Sequence, residues 1–163
     1  MSKIFNLYTK NNNGINVDRT WYQSSNIKYS ECLDYDNKLK TLKVVFNNGT
    51  QYEYKDVKTT DYLLLREDES QGKALNKYIK ANGYDYEKLE NADIQSLNEE
   101  LDFRQNGGIF VDYKDGKLTM KNSIDEEIFN KDVELNIDAF NTVCGVLTAV
   151  GKNIHVTNDI NNG

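Results

Sequence analysis

The sequence predicts an α+β protein, an antiparallel β-hairpin sheet packed by short helices, with an acidic α+β C-terminal extension. Three observations predict it. Residues 39–57, LKTLKVVFNNGTQYEYKDV, alternate apolar and polar side chains on both sides of Asn47-Asn48-Gly49, and side chains two apart share one face of a strand. Two stretches with helical spacing follow directly. Beyond residue 90 the chain offers another turn signal, Asp115-Gly116, between apolar runs, and then a long apolar segment of helical period.

In chain order, residues 1–23 hold Ile4 and Leu7, then Ile15 and Val17 after Asn13-Gly14, which predicts two brief strands around a turn. The segment NIKYSECLDYD is expected to pair as a third strand with the hairpin, in which Leu42, Val44 and Phe46 alternate, then Thr50, Tyr52 and Tyr54. TTDYLLLRE reads as a short helix with Thr60 as its cap. SQGKALNKYIKANG reads as a second, with Ser70 as N-cap and Gly83 at the exit. At about 100° per residue, Leu75, Tyr78 and Ile79 share its buried side, and Lys73, Lys77 and Lys80 line the other.

Further on, Ile94, Leu97 and Leu101 form a helical stripe, and GIFVDYKDGKLTM reads as a second hairpin. NIDAFNTVCGVLTAVG has Ile137, Phe140, Cys144 and Leu147 at helical spacing, with Asp138 as cap and Gly151 as terminator. Its β-branched content keeps a strand reading open. NIHVT closes as a strand. The division expected is 1–23 as an N-terminal strand extension, 24–90 as the central domain and 91–163 as an acidic α+β region.

Composition bounds the partners. The net charge is −6, spread as +2 over residues 1–23, −1 over 24–90 and −7 over 91–163. Nucleic-acid affinity rests on Lys and Arg neutralising phosphates, so this balance disfavours a general nucleic-acid binder. Eleven tyrosines against six phenylalanines and one tryptophan suit half-buried sheets and contact surfaces, since a tyrosine buries a ring and keeps its hydroxyl wet. No apolar run approaches the ~20 residues of a membrane span, so no membrane role is expected. Cys32 and Cys144 are far apart without metal spacing, which implies reduced thiols and a cytoplasmic setting.

Gly72-Lys73 raises a nucleotide reading that fails. A phosphate loop needs G-x-x-x-x-G-K-[ST], whereas Glu67 stands at the first glycine and Ala74 follows Lys73. The plain account is that Ser70 caps, Gly72 is a tight packing point and Lys73, Lys77 and Lys80 are a solvated face. The alternative is a cradle for a carboxylate or one phosphate. Cys144 with His155, the only histidine, lacks an orienting third group. Neither Glu99-Glu100-Asp102 nor Asp125-Glu126-Glu127 has a calcium-loop rhythm, so both read as solvated helix surface. No catalytic residue, cofactor or metal is expected.

Several ordered pieces carry a family resemblance. They are SSNI (Ser24–Ile27), LDYD (Leu33–Asp36), LKVVFNNGTQYEYKDV, Tyr62 with Leu65, SQGKALNKYIK and YDYEKL (Tyr84–Leu89). Together residues 24–90 resemble the KTSC domain, a small module named for its occurrence at the C-terminus of some lysyl-tRNA synthetases. The resemblance implies a compact sheet-plus-helix unit, found alone in small bacterial and phage proteins or appended to larger ones, with no agreed activity. This chain departs from the pattern at Lys58, where proline is common, and at Leu75, where an aromatic is frequent. KANGYDY also replaces a more basic segment.

The function expected is a non-catalytic protein-interaction module, an accessory or structural (virion) protein of a phage or mobile element. Its partner would be another protein or a second copy, met by Tyr52, Tyr54, Ser70, Gly72, Lys73, Lys77, Lys80, Tyr84 and Tyr86. The alternative is an RNA- or tRNA-binding accessory using the Lys73/Lys77/Lys80 face, with Tyr84 and Tyr86 stacking on bases.

Overall fold

The computed structural model describes residues 3–11, 13–35 and 37–160. The chain divides into two compact units, Met1–Asn98 and Glu99–Gly163.

The first unit is built on a six-stranded antiparallel sheet in which each strand pairs with the next in sequence. The strands are β1 (Lys3–Lys10), β2 (Asn16–Tyr22), β3 (Ile27–Leu33), β4 (Leu39–Phe46), β5 (Gln51–Lys58) and β6 (Tyr86–Lys88). Between β5 and β6 run α1 (Thr59–Glu67) and α2 (Gln71–Ala74), which continues without a break into a π-helical stretch, Leu75–Lys80. The expected hairpin, third strand and N-terminal strand pair are all present.

The core explains the alternation. Leu42 and Val44 on β4, with Cys32 on β3 and Tyr54 and Val57 on β5, meet Tyr62, Leu65, Ala74, Leu75 and Ile79 from the helices, all at most 3% exposed. Tyr54 and Val57 are three apart, an odd spacing that a regular strand would send to opposite faces. The strand solves this with a bulge: the β4–β5 register shifts between Lys40 and Leu42, and Asp56 takes a positive φ of 55°.

Beneath the helices lies a buried polar network. The Asp18 carboxylate, 2% exposed, accepts from Asn6 Nδ2 at 2.9 Å, from Arg66 Nη1 at 3.0 Å and from the Tyr62 hydroxyl. Partial burial pulls the Arg66 guanidinium down, and the hydrogen bond and charge of Asp18 together with the bond to Glu67 outweigh it, so it stays charged. Glu67 takes the Arg66 Nε at 2.7 Å and Lys3 Nζ at 2.9 Å, which ties β1 to α1. On the opposite face Trp21 stacks edge-on with Tyr29 at 5.0 Å and donates its ring N–H to Leu97 O at 3.1 Å.

The second unit is a four-stranded sheet of order β10-β7-β8-β9. Its strands are β7 (Ile109–Lys114), β8 (Lys117–Lys121), β9 (Glu127–Asp132) and β10 (Ile154–Asn158), with β10 parallel to β7 and the other pairs antiparallel. Asp115 and Gly116, both at positive φ, make the expected two-residue hairpin. Helix α3 (Ile94–Gln105) precedes this sheet, and α4 (Ile137–Ala149) covers one face, where Phe140 packs on Ile109, Val111, Tyr113 and Leu118. The segment left open between helix and strand is therefore a helix.

Four local expectations need correction. Lys58 rather than Thr60 flanks α1, because β5 runs to Lys58 and the helix starts at once, leaving Thr60 no extended backbone from which to cap. Asn136, not Asp138, caps α4: its Oδ1 accepts the Ala139 N–H at 2.8 Å, and Asp138 sits in the first turn. Asp125, Glu126 and Glu127 lie in a turn and at the start of β9 rather than on a helix; Asn122 Oδ1 accepts the Glu126 N–H at 2.9 Å and organises that turn. The second helix stops at Lys80, and Gly83 lies three residues on at φ 71°.

Candidate functional site: a tyrosine groove beside strand β6

Two strands and the end of the π-helical stretch enclose a groove of about 850 Å³ in the first unit. Tyr52 and Tyr54 come from β5 and Tyr86 from β6, and the register pairs Tyr54 with Tyr86, so these rings project from one face. Tyr86 packs on both neighbours, at 5.9 Å from Tyr52 and 5.8 Å from Tyr54 between ring centroids. Lys80 closes the helical side, and Lys55 and Asp85 stand at the rim.

Three breaks in regular geometry meet here. The β5 bulge follows Tyr54 and turns Lys55 and Asp56 out of the normal alternation. The π-helical stretch ends at Lys80, with an Ala81 N–H to Asn76 O bond of 3.0 Å spanning five residues. Gly83 takes a left-handed backbone at the groove wall. Such irregularities carry a cost in stability and concentrate where a surface is used.

Burial within the groove is graded. Tyr86 is 65% exposed, whereas Tyr54 is 3% exposed. Burial raises the Tyr54 phenol above its ordinary value, and the neighbouring Tyr52 and Tyr86 phenols add to this, so it remains a neutral O–H donor. Tyr84 acts as a clamp instead. Its hydroxyl accepts the Lys58 N–H at 3.1 Å and donates to the Asp61 carboxylate, fastening the loop before β6 to the start of α1.

Of the residues singled out in the sequence, the groove brings together Tyr52, Tyr54, Lys80, Tyr84 and Tyr86. Lys73 and Lys77 are exposed on the helix, Lys77 with its ammonium 5.2 Å from the Tyr78 ring, and neither lines the groove. Ser70 and Gly72 serve the fold. Ser70 Oγ accepts the Lys73 N–H at 3.5 Å, and the Ser70 N–H is taken by the Asp68 carboxylate at 2.8 Å. That carboxylate puts negative charge where an anion would have to sit. Gly72 packs on Asn26.

Sequence reasoning missed Lys55 and Asp85. The signal for Lys55 was the three-residue spacing of Tyr54 and Val57, which cannot both face a core without a bulge between them. Asp85 carried none, because β6 is only three residues long and wholly exposed.

The Cys144–His155 pairing does not form. Cys144 packs with the α4-side core of the second unit, as does Ile154, whereas His155 faces the other way and stacks on Phe110 at 5.7 Å and Phe103 at 6.2 Å. Among the described residues no group of three or more His, Cys, Asp or Glu is placed to hold a metal, and no helix is long and apolar enough to cross a membrane.

No curated protein matches the chain. The family match covers about two fifths of it and includes β3–β5, both helices and all five gathered residues. Residues 23–86 match the family model of the KTSC domain.

Proposed function

We propose that this protein is a non-catalytic contact module that binds a protein partner through the tyrosine groove, as an accessory or structural component of a phage or mobile element. The observation that carries the reading is Tyr86, an aromatic ring 65% exposed on an edge strand and supported from below by Tyr52 and Tyr54. Rigid tyrosines lose little conformational freedom on contact, and exposed aromatic anchors dominate the energetics of interfaces. The phage or mobile-element setting draws on the small size, the composition and the company that KTSC domains keep.

The mechanism is surface complementarity. The fold holds the rings in place through the Tyr84 clamp and the bulge after Tyr54, and the partner supplies the covering surface. A second reading has one observation in its favour: Lys55 and Lys80 stand beside open rings, an arrangement that also suits stacked bases of single-stranded RNA. The net charge of −6 opposes it.

A salt titration separates the two. Fluorescence anisotropy with a labelled single-stranded RNA is expected to give no saturable binding at physiological salt. Saturable binding that weakens steeply with salt and is lost in a Lys55/Lys80→Ala variant would replace the contact reading with the RNA one.

A further inference from the structure

The Tyr54 side chain buries its ring and turns its hydroxyl to the groove. The residue is only 3% exposed, yet it lines the groove, and its hydroxyl has no hydrogen-bond partner among the described residues. That hydroxyl opens onto the groove rather than being sealed in the core, so a ligand atom can take its hydrogen bond in place of water. The Tyr52 and Tyr86 hydroxyls, on the same face of adjacent strands, also lack partners among the described residues. Lys55 and Lys80 add two ammonium groups, and Lys88, paired with Tyr52 across β5 and β6, stands on the same face. Asp85 is the one acid in the lining. The groove therefore offers mainly donors, and its local charge is positive in a protein whose total charge is −6.

We infer that the groove receives a carboxylate side chain from an acidic, extended segment of a protein partner, with Tyr54 donating to the carboxylate, Lys55 and Lys80 neutralising it and the Tyr86 ring covering the segment. Carboxylate is the anion that a protein segment itself supplies. No arginine lines the groove, so the carboxylate meets separate phenol and ammonium donors one at a time rather than a fork. Burial keeps the Tyr54 proton in place at neutral pH, so it donates rather than competes as an anion. This inference rests on the reading of the groove as a protein-contact surface and names the chemistry that the surface selects.

The test is an NMR titration of the full chain with a blocked octapeptide of alternating Gly and Glu, beside the matching Gly-Gln peptide, inorganic phosphate and a single-stranded RNA. The Gly-Glu peptide is expected to shift the signals of Tyr54, Lys80 and Tyr86, and the Gly-Gln peptide to leave them in place. Y54F removes only the unpartnered oxygen, so it should fold as the wild type does and bind the Gly-Glu peptide about tenfold more weakly. K80A should weaken it comparably, with less dependence on salt.

Equal shifts from both peptides would overturn the carboxylate assignment while leaving the groove as a contact surface. No shift from either, or full binding by Y54F, would overturn it too. Phosphate or RNA binding that is sensitive to Y54F, without peptide binding, would remove both the assignment and the protein-contact reading.

Discussion

Gly72 lies so close to Asn26 that a Cβ built on it would come within 2.3 Å of the Asn26 side-chain nitrogen. This contact joins SSNI to SQGK. Asn26 sits in a turn held by Ser24, whose Oγ accepts the Asn26 and Ile27 N–H groups at 3.2 Å, and the Asn26 carbonyl accepts the Asn47 N–H at 2.9 Å. Three of the ordered pieces that identify the domain therefore meet at one point, and their role there is packing. The G72A variant should lose much of the roughly 1 kcal/mol that alanine gains over glycine in a helix, because the Asn26 side chain must swing aside. Because the obstacle is the Asn26 side chain, N26A/G72A should recover part of that loss. Urea denaturation of the double-mutant cycle checks this, and strictly additive effects would contradict the contact.

Asp18 joins β2 to α1 through Tyr62 and Arg66. Arg66 is 17% exposed and Asp18 2% at the side chain, so removing the acid leaves a half-buried cation short of its partner. D18N is expected to cost about 3 kcal/mol and Y62F about 1–2 kcal/mol. Chemical denaturation at neutral pH measures both. A D18N effect no larger than that of Y62F would mean that the ion pair contributes little.

Burial raises the Tyr22, Tyr29 and Tyr62 phenols above their ordinary value of 10.0. The sign follows directly. Folded tyrosines keep their protons above pH 10.0 while the unfolded chain releases them, so the stability present below that pH is lost as the pH rises further. Tyrosinate absorbance should therefore show a cooperative step that coincides with loss of the folded circular-dichroism signal. Gradual titration of every tyrosine with the fold intact would contradict the burial of these three.

Both thiols should react slowly. Burial pushes the Cys32 thiol up to about 12, with nearby Lys40 only partly offsetting it, and burial also raises the half-buried Cys144. The thiolate is the nucleophile, so alkylation by iodoacetamide at neutral pH should be slow at both, and slower at Cys32 than at Cys144. Rapid modification of Cys144 would point to an activated thiol and contradict its place against the apolar core of the second unit.

The β4–β5 hairpin was legible in the sequence because Leu42, Val44, Tyr52 and Tyr54 repeat the strand period on either side of a turn. Leu75 and Ile79 likewise disclosed which side of the second helix is buried. The Asp18–Tyr62–Arg66 network was not legible, since nothing local links residues that are 44 and 48 apart until the sheet is built. Strands β6 and β9 were missed because every residue in them is exposed, leaving no apolar alternation to read. The parallel pairing of β10 with β7 depends on a crossover through α4, which periodicity does not encode. For the groove, the tyrosines and Lys80 were picked out as contact residues, but the fold alone separates them from Lys73 and Lys77.

Site-specific photo-cross-linking from position 86, in cells that make the protein together with its natural partners, tests the contact reading most directly. A photoreactive phenylalanine analogue replacing Tyr86 is expected to give one discrete protein adduct. The same analogue at exposed Lys117 in the other unit should give none, and a Y52A/Y54A background should abolish the first. An adduct with RNA alone, or a protein adduct unaffected by loss of Tyr52 and Tyr54, would contradict the account.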